Sequence, residues 1–420
     1  MKSALLRIGK HRLTRNITAM YLMTAVNYVV PFIVLLHLTR VLGPDLYGVV
    51  AFASGIMMLA MVLVDFGYGL SATNKISRHR NNRKYVAGLL GGILRVKLVL
   101  IAISAVVVIG YALLTEKYAD YRLVLMFSIL PVLAQGLVPN YFFQGIEQIR
   151  YLAGFEFVSR CTYMVLVFLF VRHDQSYWLV PVLNGAGHAA TLVFSFVALY
   201  RLGYWVDLRN QRMMRYARQM NRGYFMSRVA VTAYMNAAPV LLGLFSMPAA
   251  VGVYQLARQL YGVMQTMAGA LSQAVYPYMA KERNLVLYRK LALGVVAATL
   301  VGSVVGYLLA PTVILKIFGA QWSESIDVLN VFFAAIIVHV CAVFAGYPIC
   351  AAVNRVDVAN RSVVFGAILY FVMFLGVHAA SLITPISLAL MMMLAELYVF
   401  IHRYLGIRSA LGMISVKENT

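Results

Sequence analysis

The chain has 420 residues, 62% of them hydrophobic, and carries a formal net charge of +22 on only 12% charged residues. An ordinary soluble domain has roughly twice that charged fraction, so this chain cannot clothe a water-soluble globule of its size. Its basic residues fall in bursts between apolar stretches, which excludes nucleic acid as a partner and reads as the positive-inside pattern of an inner-membrane protein.

A helical span needs about 20 mostly apolar residues. Such segments fall at 17–39, 46–70, 87–114, 123–143, 152–171, 178–200, 223–245, 249–276, 291–315, 326–352, 362–381 and 384–402. The pattern predicts an all-α membrane protein of about twelve transmembrane helices. The basic start (Lys2, Arg7, Lys10, Arg12, Arg15) leads into a full-length apolar segment without a small-residue cleavage site. That segment is expected to stay as the first helix. Cys161, Cys341 and Cys350 all lie in apolar stretches and form no CxxC, so neither a disulfide framework nor a zinc site is implied.

Lys and Arg counts orient the spans. With the N-terminus in the cytoplasm, the alternating segments hold 26 of them inside and 5 outside. Both termini are therefore expected in the cytoplasm. The longest non-membrane stretch, 201–222, is basic and polar and divides the chain near its middle. It predicts an N-terminal six-helix bundle over 1–200, a cytoplasmic linker over 201–222, and a C-terminal six-helix bundle with a short tail over 223–420. A short repeat agrees with that midpoint. Asn27, Pro31 and Pro44-x3-Gly48-Val49 in the first half find a counterpart in Asn236, Pro239 and Pro248-x3-Gly252-Val253. Internal repeats are common in transporters, and six helices per half give two parallel halves with the path between them.

Five cations remain inside spans: Arg95, Lys97, Arg160, Arg228 and Arg258, together with the acids Asp65, Glu156 and Glu396. Charge in a span is costly and points to function unless it is paired within the bundle. Arg258 lies near the midplane of its span, too deep to reach the interface, and is the foremost cavity candidate. Arg228 lies near the cytoplasmic face, with Thr232 and Asn236 on the same helical side. Arg95 shares a face with Gly88, Gly91 and Gly92, where a neighbouring helix or ligand comes closest. Lys97 points the opposite way. Both belong either to a cavity or to the cytoplasmic interface. Asp65, Glu156, Arg160 and Glu396 fall in cytoplasmic halves of spans, as counter-ions, coupling groups or structural pairs. Histidines 188, 339 and 378 read as core residues with a satisfied hydrogen bond. A cavity with excess cations, loading from the cytoplasm, suits an anionic head group and suits an organic cation poorly.

Asp65-Phe66-Gly67 spells a kinase triplet, but no phosphate loop or catalytic-loop Asp accompanies it. No Ser/His/Asp order, metal cluster or P-loop appears either, so the sequence predicts neither an enzyme nor a resident cofactor.

Several motifs resemble those of Wzx-type O-antigen flippases, in the polysaccharide-transport branch of the multidrug/oligosaccharidyl-lipid/polysaccharide exporter superfamily. Arg40-Val-Leu-Gly-Pro-Asp-Leu-Tyr-Gly48 is similar to that family's first periplasmic turn. Asp65-Phe-Gly-Tyr-Gly-Leu-Ser-Ala-Thr73, with Ile76 and Arg80, resembles the end of its second helix. Pro139-Asn-Tyr-Phe-Phe-Gln144-Gly145-Ile-Glu147 resembles its P-x-W-x-x-Q-G-x-E element, with Tyr141 in place of Trp. Tyr177-Trp178-Leu-Val-Pro181-Val-Leu-Asn184 resembles the start of its sixth helix. Val251-Gly252-Val-Tyr254-Gln-Leu-Ala257-Arg258 and Gln273-Ala-Val-Tyr276-Pro277 resemble its eighth, although Ala257 stands where the family often has an acid beside the base.

The resemblance implies two six-helix bundles in a V-shaped MATE-like architecture that alternates between inward- and outward-facing states. It implies an undecaprenyl-diphosphate-linked repeat unit as substrate, moved from the cytoplasmic to the periplasmic leaflet of a bacterial inner membrane. Cavity arginines would meet the diphosphate, and Asn27, Tyr141 and Gln144 the sugars. Proton or sodium coupling, and the polysaccharide polymerase and chain-length regulator as partners, belong to the same picture. A multidrug or cation exporter of the superfamily is the first rival. A membrane polysaccharide polymerase or ligase is the second, but the predicted outside loops are too short to house catalysis.

Overall fold

The structure, a computed structural model, describes the backbone of residues 2–221, 236–282, 285–353 and 355–418. Side chains are described within those ranges from residue 29 to residue 409, except at 274, 277, 278, 280 and 282. All regular elements among the described residues are helical. They are α1 (Lys2–Asp65), α2 (Tyr68–His79), α3 (Arg83–Leu114), α4 (Arg122–Phe127), α5 (Ile129–Leu137), α6 (Asn140–Gly145), α7 (Ile149–Phe170), α8 (Leu179–Arg201), α9 (Gln211–Gln219), α10 (Asn236–Phe245), α11 (Pro248–Glu282), α12 (Leu285–Val313), α13 (Ser325–Phe344), α14 (Tyr347–Ala352), α15 (Val356–Ala379) and α16 (Pro385–Glu418).

Among the described residues nine stretches are long and apolar enough to cross a membrane. The expected spans at 87–114, 123–143, 152–171, 178–200, 291–315, 326–352, 362–381 and 384–402 each fall on one of these and the first two share another, while the seventh, 223–245, lies outside the described residues up to 235 and its remainder, α10, is a short apolar helix. The first two spans run together as α1, whose only break is Gly43, at φ 66° and ψ 179°. The fourth is broken into α4, α5 and α6. Pro139 forces the break after α5, because the residue before a proline avoids helical backbone; Val138 is accordingly extended at ψ 123°. α11 is 35 residues long but falls outside the apolar set, since Gln255, Arg258, Gln259, Gln265 and Gln273 interrupt it.

Helix ends follow local chemistry. Asn82 caps α3 by accepting from the Tyr85 amide, and Asn210 caps α9 by accepting from the Met213 amide. Thr384 and Ser387 cap α16 reciprocally: the Ser387 amide donates to the Thr384 hydroxyl oxygen, and the Thr384 amide donates to that of Ser387. Phe66 (φ 46°) and Gly67 (φ 82°) form the left-handed turn that ends α1.

The chain divides into two compact units. The first comprises Met1–Val41 and Ile56–Met226. Within it α7 and α5 pack on α8, α3 packs on α5 and α9, and α2 packs on α6. The described part of the linker, 201–221, does not run free in this unit. The Asp207 amide donates to the Ala87 carbonyl. The glycine face of α3 receives the rest: a β-carbon on Gly91 would stand 1.8 Å from the Asp207 carbonyl oxygen, and one on Gly92 2.6 Å from that of Met213.

The second unit comprises Leu42–Gly55 and Ser227–Thr420. α13 is its central helix and packs on α11, α12 and α16. Arg403, expected in a cytoplasmic tail, is buried here because α16 continues to Glu418. Its guanidinium donates to the Ser362 hydroxyl and to the carbonyls of Ala342 and Ala359, joining α16 to α13 and α15. The Ala359 carbonyl also accepts from the Ser362 hydroxyl, so Arg403 closes a small buried network in a low-dielectric interior.

Candidate functional site

The sequence-predicted residues fall into two groups, one in each unit. In the first unit, Lys97 and Tyr141 are both buried. The Lys97 ammonium donates to the Gly136 carbonyl at 2.8 Å and lies 5.3 Å from the centre of the Tyr141 ring. Gly136 is the next-to-last residue of α5, where the carbonyls of a helix end lack intrahelical donors and attract cations. Asp65, at the end of α1, acts electrostatically on Lys97, Tyr141 and Tyr68. The Tyr68 and Tyr141 rings are 6.4 Å apart, and the Tyr68 hydroxyl donates to the Ala217 carbonyl of α9. Tyr141 and Lys97 thus form an internal cluster with Asp65.

Gln144 does face a cavity. A polar recess of about 180 Å³ is lined by Gln135, Asn140, Gln144, Glu156, Ser159 and His188 among others. It has room for several waters, or one sugar ring, and lies below the range of pockets that engulf a whole ligand. Glu156 belongs to its wall and pairs with Arg160 one turn on, at 3.1 Å. That pair is largely exposed, at 34% and 51% of the two side chains, so its stabilising effect is small. His188 meets the Ser159 hydroxyl at 3.1 Å, and the Thr191 hydroxyl donates to the Phe155 carbonyl, fastening α8 to α7 along the same wall.

Two resemblance-bearing stretches prove to be packing partners. The Thr73 hydroxyl reaches the Tyr141 carbonyl and the Gln144 amide oxygen, each at 3.3 Å. Arg80 pairs with Glu147 at 3.5 Å. Gly145 admits Ile76, whose β-carbon would stand 2.8 Å from a β-carbon at that position. Arg95 lies one turn deeper than the glycine face that holds segment 207–214. It is half-buried and makes no hydrogen bond or ion pair among the described residues. Arg228 lies outside the described residues, and Asn27 lies on α1 outside the described side chains.

In the second unit, Arg258 is half-buried on α11 and no carboxylate pairs with it among the described residues. Its guanidinium lies 5.5 Å from the centre of the Tyr261 ring, and Nη1 donates to Gln265 Oε1 at 3.0 Å. Tyr261 is held flat against Phe332 of α13, with centroids 4.6 Å apart. Gln265 Nε2 lies 3.4 Å from His339 Nδ1, and the same nitrogen lies 3.1 Å from Glu396 Oε1. Arg258 and Glu396 are therefore brought into one chain of contacts, through Gln265, which the sequence did not single out, and His339, which it read as a core residue. Gln265 carries no charge to flag it, and a lone histidine in a span reads as core.

The comparisons with known proteins bear on what this arrangement serves. Residues 13–282 match the model of the polysaccharide biosynthesis protein family. The chain belongs to that family. A protein of Escherichia coli (strain K12), described as a candidate O-antigen transporter, is 26% identical over 67% of this chain and 68% of its own length. Its counterpart in Shigella dysenteriae, described in the same words, is 24% identical over 64% and 67%. The motif resemblance is thus borne out. Among solved structures, the lipid II flippase MurJ in an inward closed conformation aligns with 92% of this chain and 87% of its own, at a TM-score of 0.70 and 10% identity. An inward-facing multidrug resistance MATE transporter of the MOP superfamily aligns with 93% and 96%, at 0.69 and 13% identity. These likenesses establish that the family member described here has the MurJ and MATE fold.

Proposed function

We propose that the chain is a flippase that carries a lipid-linked O-antigen or related polysaccharide repeat unit across a bacterial inner membrane. The cargo is an undecaprenyl-diphosphate-linked oligosaccharide, loaded from the cytoplasmic leaflet and released to the periplasmic one by alternating access. Family membership and the names of the relatives support transport of a polysaccharide precursor. The observation that carries the substrate class is Arg258: a half-buried guanidinium on the least apolar of the long helices, in contact with a neutral amide and an aromatic face. Such a group offers planar, charge-assisted hydrogen bonds to phosphate oxygens. Arg95 and Arg228 are the further cationic candidates and Gln144 and Asn27 the sugar-contacting ones, whereas the burial of Lys97 and Tyr141 favours a structural role for both. The segments 1–200 and 223–420 act as the two bundles, with 201–222 at the cytoplasmic face. The excess of Lys and Arg in the segments taken as cytoplasmic supports that orientation.

The test is complementation of a flippase-null strain with wild type and Arg258→Ala at matched membrane levels. Wild type restores surface polysaccharide and clears lipid-linked repeat units from the cytoplasmic leaflet; Arg258→Ala leaves them there. Full activity of the variant removes Arg258 from the mechanism. Failure of the wild type to clear any lipid-linked precursor overturns the function and returns the cation-exporter reading.

A further inference from the structure

The polar recess of the first unit has more hydrogen-bonding capacity than its own walls use. Asn140, Gln144 and Glu156 are exposed, Gln135 and His188 half-buried, and Phe155, Ser159 and Thr191 buried, so the recess has an open mouth and a closed floor. At the floor the polar groups are spent: the Thr191 hydroxyl donates to the Phe155 carbonyl, and the Ser159 hydroxyl meets His188. Towards the mouth they are not. The side-chain amides of Gln135 and Asn140 make no hydrogen bond among the described residues. The Gln144 amide oxygen has a single contact at 3.3 Å, with the Thr73 hydroxyl. Glu156 accepts from Arg160 through Oε2, and a carboxylate has about four acceptor positions.

Charge narrows the occupant. Among the described lining residues Glu156 is the one carboxylate, and it opposes a phosphate or a uronate. The Arg160 guanidinium 3.1 Å from it opposes a cation. Among the described residues no three His, Cys, Asp or Glu side chains gather that could hold a metal ion. What fits is an uncharged ligand that both donates and accepts, because the amides present both functions and the carboxylate accepts. Leu152 and Phe155 add an apolar patch to the same wall. A pyranose has that make-up, with hydroxyls around its rim and C–H groups on its faces. A recess of about 180 Å³ admits one such ring.

We propose that this recess is a subsite for one uncharged pyranose of the cargo, held by Gln135, Asn140 and Glu156. The two amides each offer two donors and an acceptor, Glu156 takes neighbouring hydroxyls, and a C–H face of the ring rests on Leu152 and Phe155. The residues come from α5, α6, α7 and α8, so the subsite is complete within the first unit. Glu156 stands two turns from the start of α7, the end that the proposed orientation puts in the cytoplasm. A site built to hydrogen-bond a hydroxyl penalises a ligand that leaves its polar groups unpaired. The recess therefore discriminates between epimers, and it reads a sugar where the arginines read only charge.

The proposal rests on the flippase reading for the source of the sugar, and the experiment reads binding alone. Leu152→Cys is introduced into full-length protein freed of Cys161, Cys341 and Cys350 and held in lipid nanodiscs, and its alkylation by a maleimide is timed. The probes are the methyl glycosides of glucose, galactose, mannose and N-acetylglucosamine. Glucuronate, inorganic pyrophosphate, and sodium chloride against choline chloride are run beside them. A ligand of about a dozen heavy atoms binds in the millimolar range. A sugar at about four times its Kd slows alkylation roughly fivefold. At least one neutral glycoside gives that slowing and an epimer gives less. Gln135→Leu and Asn140→Ala lose it, while sugar-free rates equal to the parent's show the recess intact in both. Glucuronate, pyrophosphate and sodium give no slowing. Alkylation untouched by every neutral glycoside, or protection that survives both substitutions, overturns the subsite. Equal protection by glucuronate or pyrophosphate overturns its neutrality, and protection by sodium alone makes it a cation site. A protein that clears its lipid-linked precursor yet shows no protection loses the subsite and keeps the flippase reading; protection without complementation does the reverse.

Discussion

Gly48 lies so close to Pro248 that a β-carbon on the glycine would stand 1.8 Å from the proline carbonyl oxygen. The relation is returned in kind: a β-carbon on Gly252 would stand 2.3 Å from the Pro44 carbonyl oxygen. The two Pro-x3-Gly-Val elements noticed as a repeat are thus each other's contact within the second unit, each glycine receiving the carbonyl of the other's proline.

That contact leaves no space for a methyl group. Gly48→Ala and Gly252→Ala are each expected to destabilise the folded protein by about 1–3 kcal/mol, the usual cost of overpacking. Gly110→Ala, inside α3 where a β-carbon meets nothing within 4 Å, serves as the control and is expected to leave stability the same or raise it by up to about 1 kcal/mol. Thermal unfolding in detergent, followed by size exclusion, checks all three.

Lys97 is expected to behave as a structural cation. Lys97→Met keeps the aliphatic volume but leaves the Gly136 carbonyl without its donor, at a cost of about 1–3 kcal/mol. The loss should show as a lower unfolding midpoint. A variant as stable as wild type yet inactive in complementation would instead place Lys97 on the transport path.

Arg258→Lys is expected to transport about 10- to 100-fold more slowly than wild type, the weight of one lost charge-assisted hydrogen bond. Lysine keeps the charge but not the planar fork. Initial rates of lipid-linked oligosaccharide flipping in proteoliposomes give the comparison; equal rates would reduce Arg258 to a point charge.

Segment 201–222 offers a topology test. Arg212 is exposed on α9, away from the Asn210 cap. In a background free of Cys161, Cys341 and Cys350, Arg212→Cys should react with an impermeant thiol reagent in inside-out vesicles and stay unlabelled in intact cells with a permeabilised outer membrane. Labelling in those cells would reverse the proposed orientation.

Much of this was legible in the residues. Apolar length predicted the helices, and the glycines at 88, 91 and 92 predicted a close approach. What fills that approach was not legible, since any backbone fits a glycine face; it is Asp207 and Met213 of the linker. Arg258 stood out as an ion deep in a span. Its connection to Glu396 did not, because the intermediates Gln265 and His339 become meaningful only once α11, α13 and α16 pack together. Arg403 was assigned to a tail because hydropathy falls where α16 continues, and hydropathy is blind to three waiting acceptors.

The polar character of α11 bears on how the protein is made. On insertion scales an arginine at the centre of a helix costs about 2.5–3.5 kcal/mol, and α11 carries several glutamines besides. Such a segment is a poor candidate to leave the translocon alone. Its entry into the lipid depends on companions that supply acceptors, and α13, which bears His339, is synthesised later. Biogenesis of the second unit is therefore a concerted event, and its yield in cells should depend on the same residues that operate the site.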